Sequence, residues 1–188
     1  MITIRPARAA DAATIAAVHV AAWRSAYPGI LPDAYLASLS LRRQTAHYDA
    51  TIRAGVGVHV AVASGQDLGQ AGGLPRIIGF ATGGLARGAT ALQLAEGEVE
   101  TLYVLDDWRD RGIGRRLMQA AVAHLAGLGC TSALVWVLRD NPSRWFYAHL
   151  GGKAAAEMPV EVGGISLMQT AYVWSPIERL VQAGPTAP

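Results

Sequence analysis

Residues 109–118, RDRGIGRRLM, combine four arginines and two glycines directly before an apolar run with helical spacing. Glycine lets the backbone turn tightly and approach a ligand closely. The first turn of a helix exposes unpaired backbone N–H groups and the positive end of the helix dipole. Together with the arginine charge, these features predict a binding site for a phosphate or pyrophosphate anion.

Other interpretations of this segment compete with a dedicated pyrophosphate loop. A P-loop ends in Gly-Lys-Ser/Thr, and this segment has no such ending. A Rossmann fingerprint needs a third glycine at position 117, where the chain has Leu117. A helix start whose arginines are simply solvated is the remaining alternative, and the local pattern leaves it open.

Two glutamates precede this segment on a predicted strand, EVETLYVL at 98–105. Because side chains alternate along a strand, Glu98 and Glu100 are expected on one face, together with Leu102 and Val104. A partly buried carboxylate there is a candidate general base. The alternative is a solvated strand face or an ion pair with an arginine.

A second candidate group lies in NPSRWFYAHLGG, residues 141–152. The pattern predicts a short helix over 142–150, capped by Asn141 and followed by Gly151. Tyr147 on this helix is a candidate proton donor. The alternative for Tyr147 is a packed core tyrosine.

Aromatic residues near the N-terminus form a third candidate group. His19, Trp23 and Tyr27 are spaced four residues apart, so they lie on one stripe of a predicted helix. Tyr35 follows on the next predicted element. Core packing explains each of them singly, whereas as a group they suit a pocket for an amine or an aromatic ligand.

The elements that must position these groups follow from periodicity. Strands are expected at 2–6, 56–63, 76–86, 98–105, 131–138, 155–162 and 165–174. Helices are expected at 11–26, with Asp11 as the cap, and at 31–40, 41–53 and 142–150. A further helix is expected to carry an apolar stripe of Leu117, Ala121, Leu125 and Leu128 and to end near Gly129. Residues 87–97 fit either a loop or a broken helix. This order predicts a mixed α/β fold in a single domain, 1–175, with a C-terminal tail, 176–188.

Composition excludes several classes of protein. Of the 188 residues, 52% are hydrophobic and 16% charged, which excludes a mostly disordered chain. A formal net charge of +2 is too small to argue for a nucleic-acid partner. No apolar run approaches the roughly 18 residues typical of a membrane span, and the single cysteine, Cys130, precludes an internal disulfide. We therefore expect a soluble cytoplasmic protein without metal, membrane or nucleic-acid partners.

Arg109-x-x-Gly112-x-Gly114, placed between a strand and a helix, resembles the acetyl-CoA pyrophosphate loop of the GNAT superfamily of N-acetyltransferases. Segments 102–104, 141–152 and 4–36 are similar to further parts of that family in the same order. The resemblance spans about residues 2–174. It implies the GNAT fold, a mostly antiparallel sheet flanked by helices, in which strands 4 and 5 are parallel and splay apart.

The resemblance also implies where acetyl-CoA binds. The co-substrate would lie between the strands at 98–105 and 131–138, and Asn141 would hydrogen-bond its pantetheine arm. The backbone of Leu102, Tyr103 and Val104 would pair with the pantetheine and the acetyl carbonyl. The pyrophosphate would be held by the loop residues Arg109, Asp110, Arg111, Gly112, Ile113, Gly114 and Arg115.

The activity implied by the resemblance is direct transfer of acetyl from acetyl-CoA to a primary amine of a small molecule or peptide. Tyr147 would protonate the departing thiolate, and Glu98 aligns best with the base of some members, with Glu100 or an ordered water as alternatives. The acceptor pocket would include Trp23, Tyr27 and Tyr35. A non-catalytic acyl-CoA sensor, a longer acyl donor and a homodimer stay open as alternatives.

Overall fold

One mixed sheet runs through the centre of the protein in a computed structural model that describes residues 1–65, 67, 69 and 73–182. The strands found in these residues are β1 Thr3–Pro6, β2 Gly57–Ala63, β3 Arg76–Leu85, β4 Gly97–Val104, β5 Ala133–Leu138, β6 Lys153–Val162 and β7 Ile165–Trp174. Their order is β1-β2-β3-β4-β5-β7-β6. The β4–β5 pair is parallel, and the other neighbouring strands are antiparallel.

Helices cover both faces of this sheet. Those in the described residues are α1 Ala12–Ala26, α2 Asp33–Ala37, α3 Leu41–Arg53, α4 Ala89–Leu94, α5 Ile113–Gly127, α6 Arg144–His149 and α7 Glu178–Gln182. Ile15 of α1 and Tyr48 of α3 pack with Val60 and Phe80 on one face. Helix α5 packs against β2, β3 and β4 in the other main cluster. The mixed α/β fold class is confirmed, including the parallel strands 4 and 5.

The apolar stripe of α5 anchors this helix on the sheet. Leu117, Ala121 and Leu125 are fully buried, as the spacing predicts. Leu128, expected on the same stripe, is 50% exposed because the helix ends at Gly127 and Leu128 follows as its cap. The buried stripe fixes the start of α5, and with it the glycine- and arginine-rich loop, at one end of β4.

Two helix starts differ from the prediction. Asp11 precedes α1 but makes no capping hydrogen bond to it. Its carboxylate instead accepts hydrogen bonds from the Arg5 guanidinium at 2.7 Å and from the Arg8 backbone at 2.7 Å, and the Arg5 hydrogen bond holds the pKa of Asp11 below its usual value. Helix α6 starts only at Arg144, because Asn141 closes a separate turn that precedes it.

Residues 87–97 and the C-terminal segment are now defined by the structure. The first contains α4, whose Ala91 is buried against Leu134. After β7, Ile177 and Leu180 are each 1% exposed within the cluster that contains α5. Residues 183–188 of the expected tail lie outside the described residues, and the domain boundary at 175 stays a prediction. No helix among the described residues is long and apolar enough to cross a membrane.

Gly79 of β3 is the point where β3, β4 and α5 approach most closely. A Cβ at this position would lie 2.8 Å from the carbonyl oxygen of Tyr103 and 3.3 Å from Leu117. Because that oxygen belongs to the backbone of β4, it cannot rotate away. We expect Gly79→Ala to lower the free energy of unfolding by about 1–3 kcal/mol, measured by urea denaturation.

Gly84→Ala is the matched control on the same strand. The nearest atom to a Cβ there is Val56 Cγ1 at 3.9 Å, which is ordinary van der Waals contact. Equal losses of stability in the two variants would show that the loss at Gly79 comes from the alanine itself and not from the close approach of β4.

Candidate active site

An open cleft separates β4 from β5, because their pairing is confined to one end. Gly97 pairs with Ala133 and Glu98 with Leu134, and no later β4 residue pairs with β5 in the part of the chain that the structure describes. A cavity of about 640 Å³ lies along this opening. Both strands contribute to its lining, through residues 100–104 and 135–138.

The loop between β4 and α5 closes one end of the cavity. Asp110 and Gly112 have φ values of 57° and 71°, and Gly112 is the N-cap of α5 in the left-handed conformation that favours glycine. Ile113 is buried and fixes the first turn. A Cβ on Gly114 would lie 3.3 Å from the Phe146 ring, so glycine lets α5 and α6 approach each other. The backbone N–H groups at the start of α5, which a helix does not bond internally, therefore lie at the cavity.

The arginines of this loop divide into two groups. Arg109 and Arg115 line the cavity, and Arg109 forms an ion pair with Asp106 at 2.7 Å. Arg111 does not line it; its guanidinium carbon lies 4.8 Å from the centre of the Trp108 ring. Of these predicted anion contacts, the side chains of Arg109 and Arg115 are therefore near the cavity, whereas that of Arg111 packs on an aromatic ring.

Asn141 and Tyr147 lie in the cavity wall. Asn141 Nδ2 donates to the Tyr27 hydroxyl at 3.3 Å, and its Oδ1 accepts the Ser143 backbone N–H at 2.9 Å. These bonds fix the orientation of the amide. Tyr147 is 6% exposed, and burial raises its pKa above the usual value, with the neighbouring Tyr27 as a smaller cause. The Tyr147 hydroxyl is therefore protonated at neutral pH and can donate a proton.

The predicted common face of Glu98, Glu100, Leu102 and Val104 is wrong, because β4 contains a bulge. The pairing with β3 skips Glu100 and shifts the register. Val99, Leu102 and Val104 consequently pack toward the same core cluster, although a spacing of three positions would put Val99 and Leu102 on opposite faces of a regular strand. Glu98 alternates with Val99 and so lies on the face opposite to Leu102 and Val104.

The two glutamates differ in position and in electrostatics. Glu100 lines the cavity, whereas Glu98 does not. Glu100 Oε1 accepts a hydrogen bond from the Arg87 guanidinium at 3.1 Å. Burial raises the pKa of Glu98, and the charge of Glu100 raises it further. A hydrogen bond from the Arg87 backbone lowers this pKa but does not offset the other two causes. Glu98 thus has the perturbed pKa expected of a base, and Glu100 has the direct access to the cavity.

The aromatic residues of α1 form another part of the cavity wall. Trp23 and Tyr27 line it, with ring centroids 4.9 Å apart. Tyr35 does not line the cavity but lies behind Trp23, with the two ring centroids 6.3 Å apart. His19 stacks on Trp23 at 5.1 Å, and burial lowers its pKa to about 4, so it is a neutral packing residue at pH 7.

The hairpin formed by β6 and β7 supplies a wall that the sequence analysis did not predict. Val160, Val162 and Gln169 line the cavity beside Trp136 of β5. The alternation of these residues was visible as a strand pattern. It did not reveal that β7 inserts between β5 and β6 and so brings the hairpin beside the cleft.

Comparison with known proteins gives one family. The sequence model described as "Acetyltransferase (GNAT) family" matches residues 22–151. The chain is 32% identical over 180 residues to the uncharacterized N-acetyltransferase YuaI of Bacillus subtilis (strain 168), and this alignment covers 96% of each chain.

Solved structures share the fold at lower sequence identity. An N-acetyltransferase from Staphylococcus aureus Mu50 has a TM-score of 0.68 at 20% identity, covering 93% of this chain and 98% of that one. YncA, a putative acetyltransferase from Salmonella typhimurium solved with acetyl-CoA, has a TM-score of 0.66 at 22% identity, and the match covers 100% of this chain and 98% of that one. With the family match and the relative at 32% identity, the chain belongs to the GNAT family of acetyltransferases and is an acyltransferase enzyme.

Proposed function

We propose that the protein transfers the acetyl group of acetyl-CoA directly to a primary amine, without a covalent enzyme intermediate. The observation that carries this proposal is the cleft between β4 and β5, which has the α5 N-terminus at one end and the Tyr147 side chain in its wall. The acetyl-CoA bound to the YncA neighbour supports the choice of donor.

The donor binds along β4 in this proposal. Beyond Glu98 the edge of β4 that faces β5 has no strand partner among the described pairings. The backbone groups of Leu102, Tyr103 and Val104 are therefore available to pair with the pantetheine and the acetyl carbonyl, as an added strand would. Asn141, oriented by Tyr27 and Ser143, presents its amide to the same arm.

The pyrophosphate binds at the start of α5. Asp110, Gly112, Ile113 and Gly114 offer backbone N–H groups at the positive end of the helix dipole. Their neighbours Arg109 and Arg115 add positive charge, whereas Arg111 acts through the loop backbone because its side chain packs on Trp108.

Acetyl transfer then needs a neutral amine, a stabilised oxyanion and a protonated leaving group. The amine nitrogen attacks the thioester carbonyl, a C–N bond forms and the C–S bond breaks. The proton lost by the amine passes to Glu98 through water, because Glu98 does not line the cavity, with Glu100 as the alternative acceptor. The departing thiolate takes the proton of the Tyr147 hydroxyl, and a backbone N–H of β4 stabilises the oxyanion.

Variants of the two glutamates test which of them acts as the general base. We expect Glu98→Gln to lower kcat by about 10- to 100-fold and to remove the acidic limb of the pH–rate profile. A base must be deprotonated, and the pKa of Glu98 is raised, so wild-type activity falls at a higher pH than an ordinary glutamate would give. Glu100→Gln is the matched variant; a loss confined to Glu100→Gln would assign the base to Glu100.

Thiol release from acetyl-CoA across a panel of primary amines tests the proposed function. Amine-dependent release, together with a rise in melting temperature on adding acetyl-CoA alone, is the expected result. Stabilisation by acetyl-CoA without release by any amine would favour a sensor of acyl-CoA. The proposal fails if acetyl-CoA neither stabilises the protein nor is consumed.

A further inference from the structure

The acceptor end of the cavity, which we define by Trp23, Tyr27, Leu138, Val162 and Gln169, is enclosed by side chains. A cluster of buried residues joins the α1–α2 region to the β6–β7 hairpin behind it, and it includes Tyr27, Leu138 and Val162. The two walls of the acceptor end are thus in contact with each other on the side away from the donor.

Tyr35 and the hairpin turn strengthen this closure. Gly163 and Gly164 have φ values of 60° and 80° and form the turn between β6 and β7. A Cβ on Gly163 would lie 2.8 Å from Cγ of Tyr35, so the ring packs directly on the turn. This contact limits how far an acceptor can extend past the hairpin turn, and a peptide bound in its middle, which needs an open path on both sides, does not fit.

The wall of the acceptor end is mainly aromatic and aliphatic. Trp23 is 4.9 Å from Tyr27 and 6.5 Å from Tyr103 between ring centroids, and all three line the cavity. Val162 and Leu138 line the other side. Such a wall favours a flat apolar group and attracts an ammonium group before it loses its proton.

Glu100 places a carboxylate where the cleft begins. The β4–β5 pairing ends at Glu98 and Leu134, so Glu100 lies where the two strands diverge. Its partner Arg87 is 71% exposed and does not line the cavity. The ion pair engages Oε1 of Glu100 from outside the cavity, so the carboxylate still lines the cavity while solvent and Arg87 screen part of its charge.

We propose that the acceptor is a small arylalkyl primary amine with no carboxylate on the carbon that bears the amino group. This inference rests on the proposed acetyl transfer and narrows its acceptor. Glu100 attracts the ammonium group, Trp23 and Tyr27 contact the aromatic ring, and the closed end limits its size.

A free amino acid is disfavoured by the same groups. Its carboxylate lies one carbon from the amine and therefore enters the region of Glu100 together with the reacting nitrogen. Like charges about 5 Å apart at partly buried positions disfavour each other strongly. The aromatic and aliphatic walls also solvate a carboxylate poorly.

Phenethylamine and phenylalanine test this inference, because they differ only in the carboxylate. We expect kcat/KM to be about 100-fold higher for phenethylamine, on the scale of one close like-charge contact. Phenylalaninamide keeps the bulk but not the charge, and its kcat/KM should lie within about 10-fold of that for phenethylamine. Tryptamine and tryptophan repeat the comparison with a larger ring.

A gain of amino-acid activity provides a second readout. Gln169 is replaced by arginine to supply a carboxylate partner inside the cavity, and Gln169→Met gives a neutral side chain of similar length. Gln169→Arg is expected to lower the phenethylamine-to-phenylalanine ratio at least 10-fold through the KM for phenylalanine. In Gln169→Met the ratio should stay near the wild-type value.

The outcomes separate this inference from the proposed function. Equal or better use of phenylalanine overturns the acceptor assignment and leaves acetyl transfer standing. Acetylation of other amines but of neither arylalkyl amine overturns it as well. Failure of acetyl-CoA to stabilise the protein overturns the proposed function itself. The expected ratios in wild type and in Gln169→Arg together support the inference.

Discussion

Replacing Tyr147 with phenylalanine is expected to lower kcat by about 100- to 1,000-fold while the KM for acetyl-CoA stays within a few-fold of wild type. The substitution removes one hydroxyl and keeps the ring, so the packing of α6 against β7 is retained. Burial raises the pKa of Tyr147, so the hydroxyl is protonated when the basic thiolate is released, although it is a weaker acid than an ordinary tyrosine. Steady-state kinetics with the best amine of the panel measures both parameters.

Tyr172→Phe is the matched control for Tyr147→Phe. The two rings are 6.2 Å apart in the same core cluster, but Tyr172 does not line the cavity. We expect Tyr172→Phe to retain nearly the full kcat. An equal loss of kcat in both variants would assign the effect to core packing. A normal kcat in Tyr147→Phe would mean that solvent, not Tyr147, protonates the leaving thiolate.

An acetyl thioester of a thiol more acidic than CoA distinguishes acid catalysis from a positioning effect. If Tyr147 protonates the thiolate, the rate penalty of Tyr147→Phe shrinks when the leaving thiol has a lower pKa, because less proton transfer is needed. If Tyr147 only shapes the cleft, the penalty is the same for both donors.

The donor half of the site could be predicted from the sequence because its determinants are local. Gly112 and Gly114 lie within three residues of each other, and the backbone conformation and the helix start that they require are properties of that short segment. Asn141 and Tyr147 likewise lie in one continuous segment, a turn followed by the short helix α6. Local signals of this kind depend little on how distant elements pack.

The acceptor half could not be predicted in the same way, because its geometry is non-local. The bulge at Glu100 depends on the register between β3 and β4, and one skipped residue reverses the faces of Glu98 relative to Leu102. The wall formed by Val162 and Gln169 depends on the order of β5, β7 and β6. Alternation alone carries no information on either point.

Gly114→Asp is expected to weaken acetyl-CoA binding by about 100- to 10,000-fold. A carboxylate in the first turn of a helix stabilises that helix by about 0.3–1 kcal/mol through the dipole. The same charge repels a pyrophosphate bound at the α5 N-terminus, at about 3 kcal/mol per pair of charges 5 Å apart under partly screened conditions. Compared with an uncharged side chain of the same shape at this position, aspartate should therefore stabilise the free protein and weaken donor binding.

Gly114→Asn isolates the steric part of this effect. A Cβ at this position lies 3.3 Å from the Phe146 ring, so both substitutions require a shift of a few tenths of an ångström there. Asparagine has nearly the same shape as aspartate and no charge, and we expect it to lose less than about 10-fold in affinity. Titration calorimetry with acetyl-CoA gives the affinities, and thermal unfolding without ligand gives the stabilities.

The contrast between Gly114→Asp and Gly114→Asn tests whether the α5 N-terminus binds the pyrophosphate. Equal affinities in the two variants would mean that no anion lies near Gly114, and the donor would have to be placed elsewhere in the cleft. A large gap that narrows as salt is added would instead identify the contact as electrostatic, because added ions screen the repulsion between Asp and pyrophosphate. Acetyl-CoA would then be oriented with its thioester toward Tyr147, since the cleft extends from this helix end past the Tyr147 side chain.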